Sequence, residues 1–215
     1  DHTMKILVLG PTWRNAEIAV YLTKRGHTVL PCNERYSFEQ LQLLNPDLII
    51  SNGYAPIFKP DVVNRFNIIN IHPAALPRGR GIYPNVWALY EGTAIGVCIH
   101  QIDEGIDTGD LLASDYMQHW ELDYRLDNPQ ETLQTFYTHL LRRVENLFYH
   151  TWPSIEDGSI LPYKQEPGGF RHYRNRMESD KLMRMFPDKW DTPIKLVKLT
   201  GEKMREMDAQ LHFGC

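Results

Sequence analysis

The stretch LIISNGYAPIFKPDVVNRFNIINIHP, residues 48–73, decides how the chain folds. Leu48, Ile49 and Ile50 form an apolar run that ends in Ser51, and Gly53 breaks it. Pro60 suits the first turn of a short helix reaching Phe66, where its missing N–H would have no partner anyway. Residues 67–71, NIINI, give a second short strand that leads into His72 and Pro73. Short apolar strands joined by a helix are the repeat of a parallel sheet covered by helices.

The same repeat extends toward the N-terminus. Residues 5–10, KILVLG, read as a buried strand closed by glycine, and 28–31 as another. Between them Ala16, Ile18, Ala19, Tyr21 and Leu22 suit a helix over 14–25. Ser37 with Gln40 three residues on forms a capping box for a helix carrying Phe38, Leu41 and Leu44. Further on, strands are expected at 95–102 and 111–118, joined by an acidic loop. Asn128-Pro129 opens the longest helix, whose Leu133, Phe136, Leu140, Val144 and Phe148 recur at helical spacing and which Pro153 ends. The rest reads as a partly extended appendage with a short helix near 179–186. The expected fold is α/β, a doubly wound, mostly parallel, Rossmann-like sheet with a small C-terminal appendage. Residues 1–3 read as an expression remnant, 4–153 as the catalytic domain and 154–215 as an extension.

Composition narrows the function. The chain has 215 residues, 42% hydrophobic and 23% charged, with 23 Lys+Arg against 27 Asp+Glu and a net charge of −4. Such a chain lacks the basic footprint of a nucleic-acid binder. No apolar run reaches the roughly 18 residues of a membrane helix, and no signal peptide is read at the start. Cys32, Cys98 and Cys215 are far apart and odd in number, which speaks against a disulfide framework or zinc ribbon. A cytoplasmic setting follows. The first turn, Gly10-Pro11-Thr12-Trp13, is not the glycine-rich dinucleotide cradle.

Two pieces carry chemistry. Asn70 and His72 stand at positions i and i+2 of one strand, so an amide and an imidazole share a face at the end where this fold binds ligands. A structural reading, polar residues finishing a strand, competes evenly. Asp103-Glu104-Gly105-Ile106-Asp107-Thr108-Gly109-Asp110 holds four carboxylates in eight residues. A solvated acidic hairpin is the plain reading of it, and the spacing is not that of a calcium loop. Together the pieces can run acyl transfer to an amine. The His takes the proton, the Asn amide donates to the oxyanion and the Asp supports the imidazolium.

Asn70-Ile71-His72-Pro73-Ala74-Ala75-Leu76-Pro77, Arg80-Gly81 and Asp107-Thr108-Gly109-Asp110 resemble the 10-formyltetrahydrofolate-dependent formyltransferases over roughly residues 5–150. The resemblance is closest to the sugar N-formyltransferases and to the formylation domains of nonribosomal peptide synthetases. It implies a catalytic trio of Asn70, His72 and Asp107. It implies a folate site from Tyr54, Pro56, Ile57 and Phe58 with Ile102, Asp103, Glu104 and Ile106, and 10-formyltetrahydrofolate as co-substrate. Ala74-Ala75 departs from the family's frequent Ser-Leu, beside the trio rather than within it. A cis Leu76-Pro77 bond is also implied.

The acceptor is read as a small-molecule amine, foremost a nucleotide-linked amino sugar, because Ile160-Leu161-Pro162-Tyr163-Lys164-Gln165 and Gly168-Gly169 look like sugar-enzyme tails. Another amine, on a peptide precursor or glycinamide ribonucleotide, is the rival within the class. A formyltetrahydrofolate hydrolase and a non-catalytic binding module are rivals outside it. Trp13, Arg14, Arg78 and Tyr83 are candidates for binding the acceptor, with a core Trp13 and a salt-bridged Arg14 as the competing reading. Gly168-Gly169-Phe170-Arg171 is the fallback acceptor site. Trp87 and Trp152 read as structural. The histidines at 27, 100, 119, 139, 150 and 172 have no metal-ligand spacing and read as surface or satisfied core, so no metal is expected. A homodimer is compatible with this reading.

Overall fold

A computed structural model describes residues 2–167 and 173–213. Asp1, Gly168, Gly169, Phe170, Arg171, His172, Gly214 and Cys215 lie outside the described residues. Strands β1 (Lys5–Leu9), β2 (Thr28–Cys32), β3 (Leu48–Ser51), β4 (Ile68–His72), β5 (Gly96–Gln101) and β6 (Leu111–Tyr116) form one sheet in the order β2-β1-β3-β4-β5-β6. β1 runs parallel to β2 and β3, and β3 runs parallel to β4, whereas β5 is antiparallel to β4. The helices are α1 (Thr12–Lys24), α2 (Phe38–Leu44), α3 (Pro60–Arg65), α4 (Pro84–Glu91), α5 (His119–Leu126), α6 (Leu133–Glu156), α7 (Arg176–Met183) and α8 (Ile194–Phe213). The α/β expectation holds, with a mixed sheet. No helix among the described residues is long and apolar enough to cross a membrane.

The chain divides into two compact units. The first comprises residues 1–72, 98–114 and 144–166. All four residues of β3 are buried, and so are four of the five in β1, because helices cover both faces of the parallel strands. Leu7, Leu9, Leu41, Ile49, Val62, Phe66 and Ile68 form one core cluster. The capping box on α2 is present, with Ser37 Oγ accepting from Gln40 N and Gln40 Oε1 from Ser37 N.

Pro153 does not end α6, which continues to Glu156. A proline inside a helix removes one hydrogen bond and normally breaks it, but here the last turn is fixed from outside. Trp152 is fully buried and donates Nε1–H to Glu156 Oε2 at 2.7 Å. Glu156 also receives both the Nε–H and Nη2–H of Arg25 at 2.8 Å and lies 2.8 Å from His27 Nε2. His27 Nδ1 accepts from Met4 N at 3.0 Å, so its Nε2 carries the proton toward Glu156.

The second unit comprises residues 73–97, 115–143 and 167–215. α6 begins at Leu133, later than Asn128-Pro129, because Thr132 and Thr135 cap it through reciprocal side-chain to backbone hydrogen bonds at 2.9 and 3.2 Å. The tail carries α7 close to the short helix expected near 179–186, and in addition the long α8, which was not expected. Buried Ile194, Val197 and Gly201 give α8 a core-facing stripe at spacings of three and four, hidden in the sequence among lysines. A Cβ on Gly201 would fall 1.8 Å from the Tyr90 carbonyl oxygen, so glycine lets α8 approach α4 closely. Arg174 stacks 4.0 Å over the Trp87 ring and pairs with Glu91 at 3.0 Å. The Leu76-Pro77 bond is cis, as expected.

The Glu156 hub yields a stability prediction. Charge-assisted hydrogen bonds contribute about 1.5–3 kcal/mol each and are not additive, so Glu156→Ala is expected to lower the unfolding free energy by about 2–4 kcal/mol in urea titrations. Arg25 foremost holds the Glu156 carboxyl down at about 2, from an ordinary 4.5. A depressed carboxyl adds stability above its unfolded value and loses it as pH falls. The gap between wild type and variant should therefore be full above about pH 5 and shrink steadily toward pH 2.

Candidate active site

The site lies in the first unit and starts from strand register. β4 pairs with β5 so that Asn70 faces His100 and His72 faces Cys98. Asn70 Nδ2 lies 3.2 Å from His100 Nε2. On its other side His100 Nδ1 lies 2.8 Å from the Gln101 carbonyl oxygen. A carbonyl can only accept, so Nδ1 carries the proton and Nε2 accepts from the Asn70 amide. This bond fixes the Asn70 side chain with its nitrogen toward the site. Burial first, and then the charge of His72, push His100 well below the ordinary imidazole range.

Asp107 reaches this pair from the acidic loop. Its Oδ1 lies 3.7 Å from His100 Nε2 and its Oδ2 lies 3.9 Å from His72 Nε2. The two imidazoles meet edge to face, with centroids 5.6 Å apart. One carboxylate thus stands between two rings, at ion-pair distance from each rather than at hydrogen-bond distance. Asp107 adopts φ +53°, in the left-handed region. The loop holds it there: Asp103 accepts from Gly105 N at 3.0 Å and from Thr108 Oγ1. A Cβ on Gly109 would fall 1.7 Å from the Gln101 carbonyl oxygen, so this turn requires glycine.

The structure therefore brings Asn70, His72 and Asp107 together and adds His100, which the sequence reading set aside as surface or satisfied core. Spacing along the chain could not reveal it, since the contact crosses between strands. Aligning 95–102 antiparallel to 67–72 would have. One ligand atom each from His72, His100 and Asp107 lie within 4.8 Å of one another, a grouping that could also hold a metal ion.

The remaining candidates are placed as follows. Tyr54, Phe58 and Ile102 pack against the core cluster, and Tyr54 and Phe58 rings lie 5.5 Å apart. Pro56 and Ile106 are half-buried and Ile57 is exposed. Glu104 accepts from Asn64 Nδ2 at 2.8 Å. Ile102 and Asp103 border a cleft of about 330 Å³ with Asn67, Gln101, Asp110 and Lys164. Trp13 is 72% exposed, so it is not a core residue. Arg14 donates Nη2–H to Asn52 Oδ1 at 2.6 Å, and Asn52 is held in turn by Asn15 at 2.9 Å. The guanidinium lies against Gly53, where a Cβ would fall 2.7 Å from it.

In the second unit Arg78 is exposed. Tyr83, at φ +55°, caps α4, lies 5.2 Å from the Trp190 ring and accepts from Arg176 Nη1 at 2.7 Å. Trp152 is core, as read, and Trp87 donates to Ser179 Oγ at 3.0 Å.

His100 should stay neutral, as the Nδ1–H tautomer, from pH 8 down to pH 5. Ring ¹⁵N chemical shifts check this, and a charged ring at pH 6 would contradict the assigned hydrogen bonds. A depressed imidazole favours the fold where the ring is neutral. Stability should therefore decline as pH falls below the ordinary value of 6.5.

Comparison with known proteins shows the family of the chain. A family model described as Formyl transferase matches residues 23–142, more than half of the chain. Methionyl-tRNA formyltransferase of Acidobacterium capsulatum is 32% identical over 130 residues, 59% of this chain and 39% of that protein. The match spans about two fifths of that relative's length. The formyltransferase PseJ of Anoxybacillus kamchatkensis, solved with UDP-4,6-dideoxy-4-formamido-L-AltNAc and tetrahydrofolate, has 34% identity and a TM-score of 0.77, covering 91% of this chain and 99% of PseJ. A sugar N-formyltransferase from Shewanella sp FDAARGOS_354 shares the fold, with a TM-score of 0.71 at 18% identity over 92% of this chain and 87% of that one. With its motif-bearing segment inside the matched range, and with PseJ alike over nearly the whole of both chains, the chain belongs to the formyl transferase family.

Proposed function

We propose that this chain transfers the formyl group of 10-formyltetrahydrofolate to a primary amine, with a nucleotide-linked amino sugar as acceptor. The observation that carries the reading is the Asp107 carboxylate set between His72 and His100 beside Asn70. The amine nitrogen attacks the formyl carbon. The Asn70 N–H not directed at His100 donates to the developing oxyanion. His72 takes the proton released by the amine, and Asp107 supports the imidazolium. As the tetrahedral centre collapses, the bond to the folate nitrogen breaks and His72 returns the proton to that nitrogen. The products are a formamide and tetrahydrofolate. Every step is accounted for by these side chains without a metal ion.

For the folate, the reading assigns Tyr54, Pro56, Ile57 and Phe58 on one loop and Ile102, Asp103, Glu104 and Ile106 on the other. The exposed Ile57 offers an apolar surface for a pterin ring. For the acceptor it assigns Trp13, Arg14, Arg78 and Tyr83, through stacking on a base and pairing with phosphate oxygens. The nucleotide sugar held by PseJ supports this acceptor class. The methionyl-tRNA formyltransferase relatives favour a second reading, an aminoacyl-tRNA acceptor, against which the net charge of −4 weighs. The catalytic part is residues 4–153, in a cytoplasmic setting.

The test uses 10-formyltetrahydrofolate with the UDP-linked amine whose formamide PseJ holds. His72→Asn and Asp107→Asn are expected to lower kcat at least about a hundredfold, with tetrahydrofolate binding by calorimetry largely retained in His72→Asn. Near-normal turnover in either variant would remove that residue from the reaction. Trp13→Ala and Arg14→Ala should raise KM for the UDP-sugar and spare that for the folate. Equal KM values in both variants would move the acceptor elsewhere.

A further inference from the structure

We infer that Gln165 is a positioning residue for Asp107, and that the segment after α6 serves the catalytic loop. The inference rests on the proposed role of Asp107. Gln165 Nε2 lies 2.9 Å from the Asp107 carbonyl oxygen and 2.8 Å from the Gly109 carbonyl oxygen. A carboxamide nitrogen has two hydrogens, and two carbonyls flanking Thr108 accept both. The clamp therefore spans the turn at its catalytic residue.

Its own position is fixed by backbone pairing. Tyr163 and Leu111 form an antiparallel bridge, with N–H to O distances of 2.8 and 2.9 Å in the two directions. Tyr163 Oη also lies 3.1 Å from Ser114 Oγ. Gln165 stands two residues past this bridge, so the strand-like register delivers its side chain to the loop.

The clamp adds to the loop's own hold on Asp107. Asp103 braces Gly105 and Thr108, but residues 103–105 are exposed. Asp107 sits at φ +53°, a conformation that an L-residue keeps only when its surroundings over-determine it. The carboxylate lies 3.9 Å from His72 Nε2. A rotation of the 107–109 peptides would turn it away. Displacements of about 1 Å in a catalytic constellation can cost about a hundredfold in rate. Glutamine suits the post by chemistry. Glutamate would bring acceptors against two carbonyls, methionine has the length without donors, and asparagine is too short.

The experiment is a double-mutant cycle with steady-state kinetics, using 10-formyltetrahydrofolate and the UDP-linked amine named above. Gln165→Met is expected to lower kcat about tenfold or more while both KM values change less than about threefold. In an Asp107→Asn background the same substitution should lower kcat less than about twofold further, because its effect passes through the missing carboxylate. A full tenfold loss in that background would overturn the inference, as would unchanged kcat in the single variant. Unchanged kcat in Asp107→Asn alone would instead reject the catalytic reading of Asp107. Should Gln165→Met not fold, the near-isosteric Gln165→Glu decides: it replaces the donors with acceptors and is expected to lower kcat about tenfold, and unchanged kcat there would overturn the inference.

Discussion

β5 runs antiparallel to β4 beside the parallel pairs of β1 with β2, β1 with β3, and β3 with β4, and the candidate site depends on that reversal. The connection from His72 to Gly96 carries α4 and is long enough for a parallel crossover, but a parallel neighbour would present a different register. The antiparallel pairing sets His100 directly opposite Asn70. It also sends the chain out of β5 at Gln101 into the loop that returns with Asp107. One strand direction thus supplies the partner of the amide and the approach of the carboxylate.

Much of this was legible in residues 48–73. Short apolar runs, a proline in a helical first turn and a polar pair at i and i+2 are local signals, and local signals survive in sequence. The capping box of Ser37 and Gln40 was visible for the same reason. What escaped was set by distant contacts. Pro153 reads as a helix end until Arg25 and His27 are seen gripping Glu156, more than a hundred residues away in the chain. Lysines disguise α8 until Gly201 is seen against the Tyr90 carbonyl. His100 looks like any polar residue near the end of a strand until its register against Asn70 is known.

The same distinction explains Gln165. A glutamine in a proline- and charge-rich tail carries no pattern of its own. Its two carbonyl partners lie 58 and 56 positions earlier and are backbone atoms, which every residue has. Side chains that bind main chain leave no signature at the partner position. Such positioning groups are therefore the part of a site that sequence reading reaches last.

The two histidines around Asp107 divide their work by environment. His100 lies in a buried setting with its Nδ1–H given to Gln101. Its burial and the neighbouring His72 both disfavour a charge there. A charged His100 would compete with His72 for the single carboxylate 3.7 Å away. Kept neutral, it leaves the whole Asp107 charge to support whatever positive charge forms on His72. Its Nε2 lone pair meanwhile orients the Asn70 amide. In the proposed reaction the buried ring would thus prepare the oxyanion donor and protect the electrostatic partner of the base at once.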